Sequence, residues 1–410
     1  MRRVVVTGVG ALTALGADAD ALCQALNRGE SGIRHLDTPW AGQLTSSLAA
    51  PVTIPVADRF TKLRRLMLDR VSQLSLLAAG EAVVQAGIDF SGDDGLDCGI
   101  FWGTGMGGAH TLEQAYLESL HNPEARPRPS TIVMFMANAS TGQIGIEFKI
   151  RGPSHTHSAA CSSSAVAIGE AFMAIRHGRV RYAVAGGGES LLTLGVMRAW
   201  ESLQTLARPD PEHPETSCRP FAKDRSGFVL GEGAAALLLE SEETALARGA
   251  PILAELVGYG NTTDASHITQ PDVGGQARAI RQALDQAGMV PEDIHHINAH
   301  GTGTRVGDLH ETRAIKTVFG PWATKIPISA TKALHGHVMG ATGAVEMVAA
   351  LGALRSGIVP PTAHLAEPDP ECDLDYVREG ARHLPGIQTI MSNSFGFGGN
   401  NVVLVATAYR

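Results

Sequence analysis

Residues 158–171 read SAACSSSAVAIGEA and place one thiol, followed by three hydroxyls, where a helix is predicted to begin. After the cysteine, Ala165, Ile168 and Phe172 recur at spacings of three and four residues, as on one face of a helix. The free N–H groups and partial positive charge at a helix start lower the pKa of a thiol there. We therefore expect Cys161 to be a nucleophile rather than a buried structural cysteine.

This helix has a counterpart later in the chain. Residues 174–180 read AIRHGRV and residues 353–359 read ALRSGIV, and each segment ends a predicted helix with Arg followed by Gly. Likewise, GEGAAALLLE at 231–240 and GGNNVVLVAT at 398–407 each place a glycine turn before an apolar strand. The two pairs occur in the same order, which indicates an internal duplication.

The duplication predicts two similar halves, residues 1–248 and 249–410. The helices that follow Cys161 and His337 are then symmetry partners, and we expect their N-termini to meet near the centre of the molecule. Apolar strand patterns alternate with helical ones throughout, which is typical of α/β layering. The predicted strands are 4–7, 98–102, 182–185, 234–239, 252–259, 294–298 and 401–406, and the predicted helices are 66–87, 162–177, 275–288, 309–319 and 340–356.

Composition excludes several classes of protein. Of 410 residues, 44% are hydrophobic and 18% charged, and the formal net charge of −8 argues against a nucleic-acid binder. The five cysteines form no CxxC pair, so neither a disulfide framework nor a zinc site is indicated. No apolar run approaches the roughly 18 residues of a membrane span. We expect a cytoplasmic protein without membrane or nucleic-acid partners.

Two further segments each place a histidine in a glycine-rich turn. The first, residues 298–311, reads NAHGTGTRVGDLHE and contains His300, and the second, residues 329–346, reads SATKALHGHVMGATGAVE and contains His337. One histidine in such a turn is usually a structural hydrogen-bonding residue. A helix-start cysteine combined with two such histidines is a specific set, and it predicts an active site.

AACSSS (159–164), NAHGTGTxxGDxxE, SATKxxxGHxxGAxGAVE and NSFGFGGNN (393–401) resemble motifs of the β-ketoacyl synthases, condensing enzymes of the thiolase superfamily. The resemblance covers nearly the whole chain. It implies an α/β, five-layered αβαβα fold built from two duplicated halves, and usually a homodimer. The motif order is closest to the elongating enzymes of bacterial fatty acid synthesis, and the serine-rich CSSS also resembles polyketide ketosynthases.

The resemblance implies a decarboxylative Claisen condensation with malonyl-acyl carrier protein. Cys161 would carry the acyl group, and the N–H groups of Cys161 and Phe397 would hold the oxyanion. His300 and His337 would stabilise the enolate, with Lys332 supporting the site. No cofactor is required beyond the phosphopantetheine of the carrier protein.

Other positions carry supporting roles by the same resemblance. Glu346 is expected to be the partner of His337, and Asp308 and Glu311 to orient the loop of His300. The remaining implied roles are pantetheine binding by Thr302 and Thr304, an acyl pocket formed by Met106 and Phe397, carrier-protein docking by Lys62, Arg64 and Arg65, and a structural monovalent cation held by Asn298, Glu346, Ser392 and Asn393.

The sequence departs from the family at several positions, among them Ser226, near which an acidic residue is often found, and the bulky run Met134-Phe135-Met136. Ala222 stands where an acidic residue is usual, and His155 and His157 stand in a strand that is normally more apolar. A metal site at this HxH pair is disfavoured because no further ligand is evident nearby.

The sequence argues against two rival functions and leaves a third open. A thiolase would need a second catalytic cysteine near the C-terminus, where residues 393–401 contain none. Nucleotide binding fails because Thr13 replaces the third glycine of the fingerprint begun by Gly8 and Gly10. A chain-length partner, or a decarboxylase-only subunit of a ketosynthase heterodimer, remains open.

Overall fold

The computed structural model describes residues 1–122, 124 and 126–410. The helices are α1 Ala19–Arg28, α2 Lys62–Arg65, α3 Arg70–Ala86, α4 Ala109–His121, α5 Thr131–Phe135, α6 Ala139–Phe148, α7 Ser163–Arg176, α8 Leu194–Ser202, α9 Glu242–Ala247, α10 Val273–Ala287, α11 Arg305–Phe319, α12 Lys332–His335 and α13 Thr342–Ser356. The strands are β1 Val4–Leu12, β2 Arg34–His35, β3 Leu48–Ala50, β4 Cys98–Gly103, β5 Ser154–His157, β6 Tyr182–Glu189, β7 Leu230–Gly231, β8 Gly233–Ser241, β9 Ala254–Thr263, β10 His296–Asn298, β11 Ile328–Ser329, β12 Ile358–Val359, β13 Arg382–His383, β14 Thr389–Gly396 and β15 Asn400–Thr407.

The main sheet shows the duplication directly. In the described part of the chain, ten strands follow the order β11-β10-β14-β15-β9-β1-β8-β6-β4-β5. Outward from the central β9–β1 pair, both sides repeat one pattern: two antiparallel pairings followed by two parallel ones. The expected fold from two duplicated halves is confirmed.

Helices α7 and α13 form the central layer between the two halves of the sheet. α7 packs on β4 and β6, α13 packs on β14 and β8, and the outer faces are covered by α3 and by α10. Small residues bring the two central helices together, since a Cβ added at Gly343 would lie 2.8 Å from the Cβ of Ala165. Ala344 N–H also donates to Ser164 Oγ at 2.9 Å. The predicted meeting of these helix N-termini is confirmed.

Capping residues explain why two helices begin at other residues than the sequence pattern predicted. The helix predicted from residue 66 begins at Arg70, because the carboxylate of Asp69 accepts the N–H of Val71 at 3.0 Å. The helix predicted from residue 309 begins at Arg305, where Thr304 accepts the N–H of Gly307 at 3.2 Å. Among the described residues, no helix combines the length and the apolar character needed to cross a bilayer.

Candidate active site

Cys161 lies in a tight turn between β5 and α7. The preceding Ala160 has a φ of 49°, a left-handed conformation that costs a non-glycine residue roughly 1–2 kcal/mol. Two serines hold this turn: Ser162 Oγ donates to the carbonyl of Ala159 at 2.8 Å, and Ser163 Oγ donates to that of Ala160 at 2.6 Å. The serine-rich sequence therefore fixes the backbone that presents the thiol.

Cys161, His300 and His337 come together in space. One potential ligand atom from each of the three side chains lies within 4.8 Å of the other two, and all three residues are buried. The two imidazole rings meet edge to face, with centroids 5.7 Å apart and an interplanar angle of 83°. The chain thus brings together the three residues that the sequence grouped.

The hydrogen bonds define the proton position on each imidazole. Lys332 Nζ lies 3.2 Å from His300 Nδ1, and an ammonium can only donate, so this Nδ1 accepts. Met339 N–H donates to His337 Nδ1 at 3.2 Å, so that nitrogen also accepts. Both rings therefore carry their proton on Nε2. His337 Nε2 is buried and has no hydrogen-bond partner within the described residues.

Both histidines are neutral. Burial and the nearby Lys332 charge hold the pKa of His300 and the pKa of His337 well below the ordinary value. Two neutral Nε2–H groups can stabilise negative charge that develops on an oxygen near Cys161. The arrangement is therefore suited to an enolate or an oxyanion.

The thiol pKa differs from the sequence expectation. Burial raises the pKa of Cys161 to about 11, although Lys332 and the backbone N–H groups of Phe397 and Cys161 oppose the rise. The expectation of a lowered pKa was wrong because the helix start is buried rather than exposed. The same two N–H groups that favour the thiolate are those expected to hold an oxyanion.

Lys332 is the buried cation of the site. Its Nζ lies 2.6 Å from Glu346 Oε1, both side chains are fully buried, and Nζ also donates to the carbonyl oxygen of His300. The expectation that Glu346 is the partner of His337 was wrong. His337 Nδ1 instead contacts Thr342 Oγ1 at 2.9 Å, because the short turn after His337 brings that hydroxyl nearer than the next turn of α13.

Two buried carboxylates fix the glycine-rich loop that carries His300. Glu311 accepts the backbone N–H groups of His300 and Gly301, each at 2.8 Å. Asp308 accepts the N–H of Gly303 at 3.0 Å. Burial raises the pKa of both groups, that of Asp308 to about 7. Both carboxylates hold backbone groups, which agrees with an orienting rather than a reacting role.

The residues expected to hold a monovalent cation leave several buried oxygens unpaired. Among the described residues, Asn298 Oδ1, Glu346 Oε2, Ser392 Oγ and Asn393 Oδ1 have no hydrogen-bond partner. Asn298 and Ser392 face each other across the β10–β14 pair. Oxygen atoms of this kind are ligands for hard cations, so the donor set fits the expected ion.

A cleft of about 710 Å³ leads to Cys161. Thr302 and Thr304 lie in its wall with their hydroxyl oxygens 2.9 Å apart. Phe397 also lines the cleft, and its ring centroid is 6.1 Å from that of Trp200. These three predicted residues therefore surround the route to the thiol.

Met106 does not line this cleft in the single chain. Its side chain is 54% exposed, and its backbone N–H donates to Glu189 at 3.2 Å. The expected place of Met106 in an acyl pocket stays a prediction, because this cleft is the entrance route and the single chain leaves the side chain exposed.

Two family profiles match the chain. The profile described as "Beta-ketoacyl synthase, N-terminal domain" matches residues 1–245, and "Beta-ketoacyl synthase, C-terminal domain" matches residues 253–366. The chain belongs to the β-ketoacyl synthase family. It is 40% identical over 410 residues to 3-oxoacyl-[acyl-carrier-protein] synthase 2 of Staphylococcus aureus (strain N315), covering 98% of each sequence.

Solved ketosynthase structures share the whole fold. The ishigamide ketosynthase/chain length factor has a TM-score of 0.92 at 34% identity, with full coverage of both chains. The AntDE:AntF structure, a type II polyketide synthase acyl carrier protein in complex with its ketosynthase, has a TM-score of 0.92 at 30% identity, again with full coverage. This ketosynthase is accordingly an elongating acyltransferase of fatty acid or polyketide synthesis.

Sequence reasoning missed several residues of the ketosynthase site. Thr342 contacts His337, Trp200 packs against Phe397, and the buried Glu189 accepts the backbone N–H of Gly340. Thr342 stands beside Gly343 at a helix start and Glu189 follows three glycines, whereas Trp200 lies near the end of α8 with no such signal. Such residues become recognisable only when distant segments are packed together.

The remaining predicted positions of the ketosynthase lie at or near its surface, with His157 partly buried. Lys62, Arg64 and Arg65 form α2, where Arg64 pairs with Glu147 at 3.2 Å. His155 and His157 lie on β5, at the edge of the main sheet. His155 stacks on Phe101 with a centroid distance of 5.3 Å.

Proposed function

We propose that Cys161 accepts an acyl group from an acyl carrier protein and that His300 and His337 then drive condensation with malonyl-carrier. The observation that carries the proposal is the pair of neutral Nε2–H donors beside the buried thiol. These donors suit the oxygen of an enolate, which forms only after decarboxylation.

In the first step the Cys161 sulfur forms a bond to the acyl carbonyl carbon. The carbon–sulfur bond to the carrier's pantetheine breaks, and the thiol proton leaves with the pantetheine sulfur. The tetrahedral oxyanion would be held by the N–H groups of Cys161 and Phe397, which already favour negative charge at this position.

In the second step malonyl-carrier loses carbon dioxide. The electron pair of the broken carbon–carbon bond forms an enolate. Its oxygen would accept hydrogen bonds from the Nε2–H groups of His300 and His337. The enolate carbon attacks the acyl carbonyl on Cys161, and the sulfur leaves as a thiolate that takes up a proton from water, so that the thiol is restored and β-ketoacyl-carrier is released. Lys332 supports this step by holding the proton of His300 on Nε2.

The cleft would take the pantetheine arm. Thr302 and Thr304 offer hydroxyls along its wall, and Phe397, preceded by Gly396 and followed by Gly398, can turn to admit an acyl chain. Asp308 and Glu311 keep the loop of His300 in place. A monovalent cation held by Asn298, Glu346, Ser392 and Asn393 would balance charge among these buried oxygens.

The surface supports two macromolecular partners. Lys62, Arg64 and Arg65 would dock the acidic carrier protein. The open edge of β5 and the exposed side chains of Met106 and Ile132 support pairing with a second chain. We propose a homodimer; the solved relatives that include a chain length factor leave a paralogous partner as the alternative.

In this proposal the two halves of the chain contribute different catalytic residues. Residues 1–248 supply the nucleophile, and residues 249–410 supply both histidines. We place the enzyme in the cytoplasm, since all five of its cysteines carry free thiols.

Product analysis with separate variants tests the proposal. Each enzyme would be mixed with acyl-carrier and malonyl-carrier, and carbon dioxide and β-ketoacyl-carrier would be measured. Cys161→Ala should release carbon dioxide without a condensed product, and His300→Ala should lose both. Wild-type enzyme that releases carbon dioxide but forms no β-ketoacyl product would refute the condensing role in favour of a decarboxylase subunit.

A further inference from the structure

Glu189, at the end of β6, is a fully buried carboxylate that the proposed chemistry does not use. Its Oε2 accepts the backbone N–H groups of Gly105 at 2.5 Å and Gly340 at 3.0 Å. Its Oε1 accepts the N–H of Met106 at 3.2 Å and the hydroxyl of Thr104 at 3.1 Å. The carboxylate therefore ties a loop of the first half to a turn of the second.

This position requires a group that only accepts hydrogen bonds. The Glu189 carboxylate takes three backbone N–H groups and one hydroxyl, and the three N–H groups cannot reverse their role. Burial raises the pKa of Glu189 to about 6, so the carboxylate is ionised at neutral pH. A Cβ at Gly105 or at Gly340 would lie 2.7 or 2.6 Å from Oε2, so both segments approach it closely.

The turn that Glu189 holds is also the turn that orients His337. Met339 donates its N–H to His337 Nδ1, and the next residue, Gly340, donates its N–H to Glu189. Met339 has a φ of 42°, a strained conformation for a residue with a side chain. Such strain persists only where the surroundings hold the backbone in place.

We propose that Glu189 is a positioning residue for His337. By fixing Gly340, its carboxylate keeps the Met339 N–H on Nδ1 and so keeps the Nε2–H donor directed at the reacting oxygen. Loss of the carboxylate frees the turn and the Met339 N–H. His337 Nδ1 then keeps only the Thr342 hydroxyl, which can donate or accept and so no longer fixes the tautomer. The inference rests on the proposed roles of Cys161 and His337.

Comparing the rates of the two half-reactions distinguishes a positioning role of Glu189 from a general effect on stability. Acylation of Cys161 would be measured by intact mass, and decarboxylation of malonyl-carrier by carbon dioxide release, for Glu189→Ala and Glu189→Gln. We expect kcat for decarboxylation to fall at least about tenfold in both variants, because a transition-state donor is misplaced. The KM for malonyl-carrier and the acylation rate should stay within about threefold of wild type, since neither depends on the His337 donor.

Glu240→Gln is the matched control. Glu240 is also a fully buried carboxylate of the first half, but its partners are Arg248 and Thr7 rather than the His337 turn. This variant should lower the melting temperature and leave the ratio of decarboxylation to acylation unchanged.

The outcomes are distinguishable. If the ratio of decarboxylation to acylation is unchanged in Glu189→Gln, or changes equally in Glu240→Gln, Glu189 is not a positioning residue. If Glu189→Ala does not fold, Glu189→Gln alone tests whether Glu189 positions His337. If His337→Ala decarboxylates at the wild-type rate, the proposed function fails instead.

Discussion

The buried pair of Lys332 and Glu346 gives a quantitative test of the site's electrostatics. Replacing Lys332 by Met roughly preserves the side-chain length but leaves a fully buried carboxyl without the cation that lies 2.6 Å away. Removing one partner of a buried pair typically costs about 3–5 kcal/mol. With an unfolding entropy of about 2.1 cal/mol/K per residue, this loss lowers the melting temperature of the 410-residue chain by about 4–6 °C.

The cost should depend on pH. Burial raises the pKa of Glu346 to about 7 even with Lys332 present, and Lys332 opposes the rise. Without the lysine the pKa rises further, and below that value the protonated carboxyl needs no cation. The difference in melting temperature between wild type and Lys332→Met should therefore be larger at pH 8 than at pH 6.

A double variant separates stability from catalysis. Lys332→Met combined with Glu346→Gln removes the unpaired charge and should recover most of the lost melting temperature. Decarboxylation should not recover, because His300 Nδ1 still lacks its donor. The reasoning fails if Lys332→Met melts within about 1 °C of wild type at pH 8, where the unpaired charge should cost the most, or if the double variant decarboxylates malonyl-carrier at the wild-type rate.

Two further predictions concern the His300 loop and the docking segment. Burial raises the pKa of Asp308 to about 7, against about 3.9 in the unfolded chain. Its contribution to stability is therefore present below pH 4 and is lost as the pH rises to 7. Asp308→Asn should flatten this part of the curve of melting temperature against pH, and an unchanged slope would contradict the raised pKa of Asp308. Lys62→Glu should raise the KM for acyl-carrier about threefold or more at low salt without changing kcat. Lys325→Glu, which changes another exposed lysine in the other half, should leave this KM unchanged. Equal KM values in the two variants would exclude α2 as the docking site.

The sequence predicted the fold and the reactive trio because both depend on local patterns. The alternation of strands and helices, the Arg-Gly helix ends and the repeated glycine turns are each contained in a few adjacent residues. Cys161, His300 and His337 stand in short, distinctive segments. Their convergence then follows from the duplication, which places α7 and α13 side by side.

Contacts between distant segments could not be predicted in this way. The nine-residue spacing from His337 to Glu346 does not show that Thr342 intervenes or that the carboxyl turns to Lys332. The thiol pKa of Cys161 depends on burial, which tertiary packing decides. Glu189 gathers donors from segments more than eighty residues before and one hundred and fifty residues after it, so no local pattern marks it.

Intact-protein mass spectrometry of wild type and Cys161→Ala with acyl-carrier donors tests the central claim most directly. The account predicts that wild type gains the mass of one acyl group and loses it on addition of malonyl-carrier, with β-ketoacyl-carrier appearing, while Cys161→Ala gains no mass. Wild type that stays unmodified with every donor, or Cys161→Ala that is acylated equally, would contradict the assignment of Cys161 as the nucleophile.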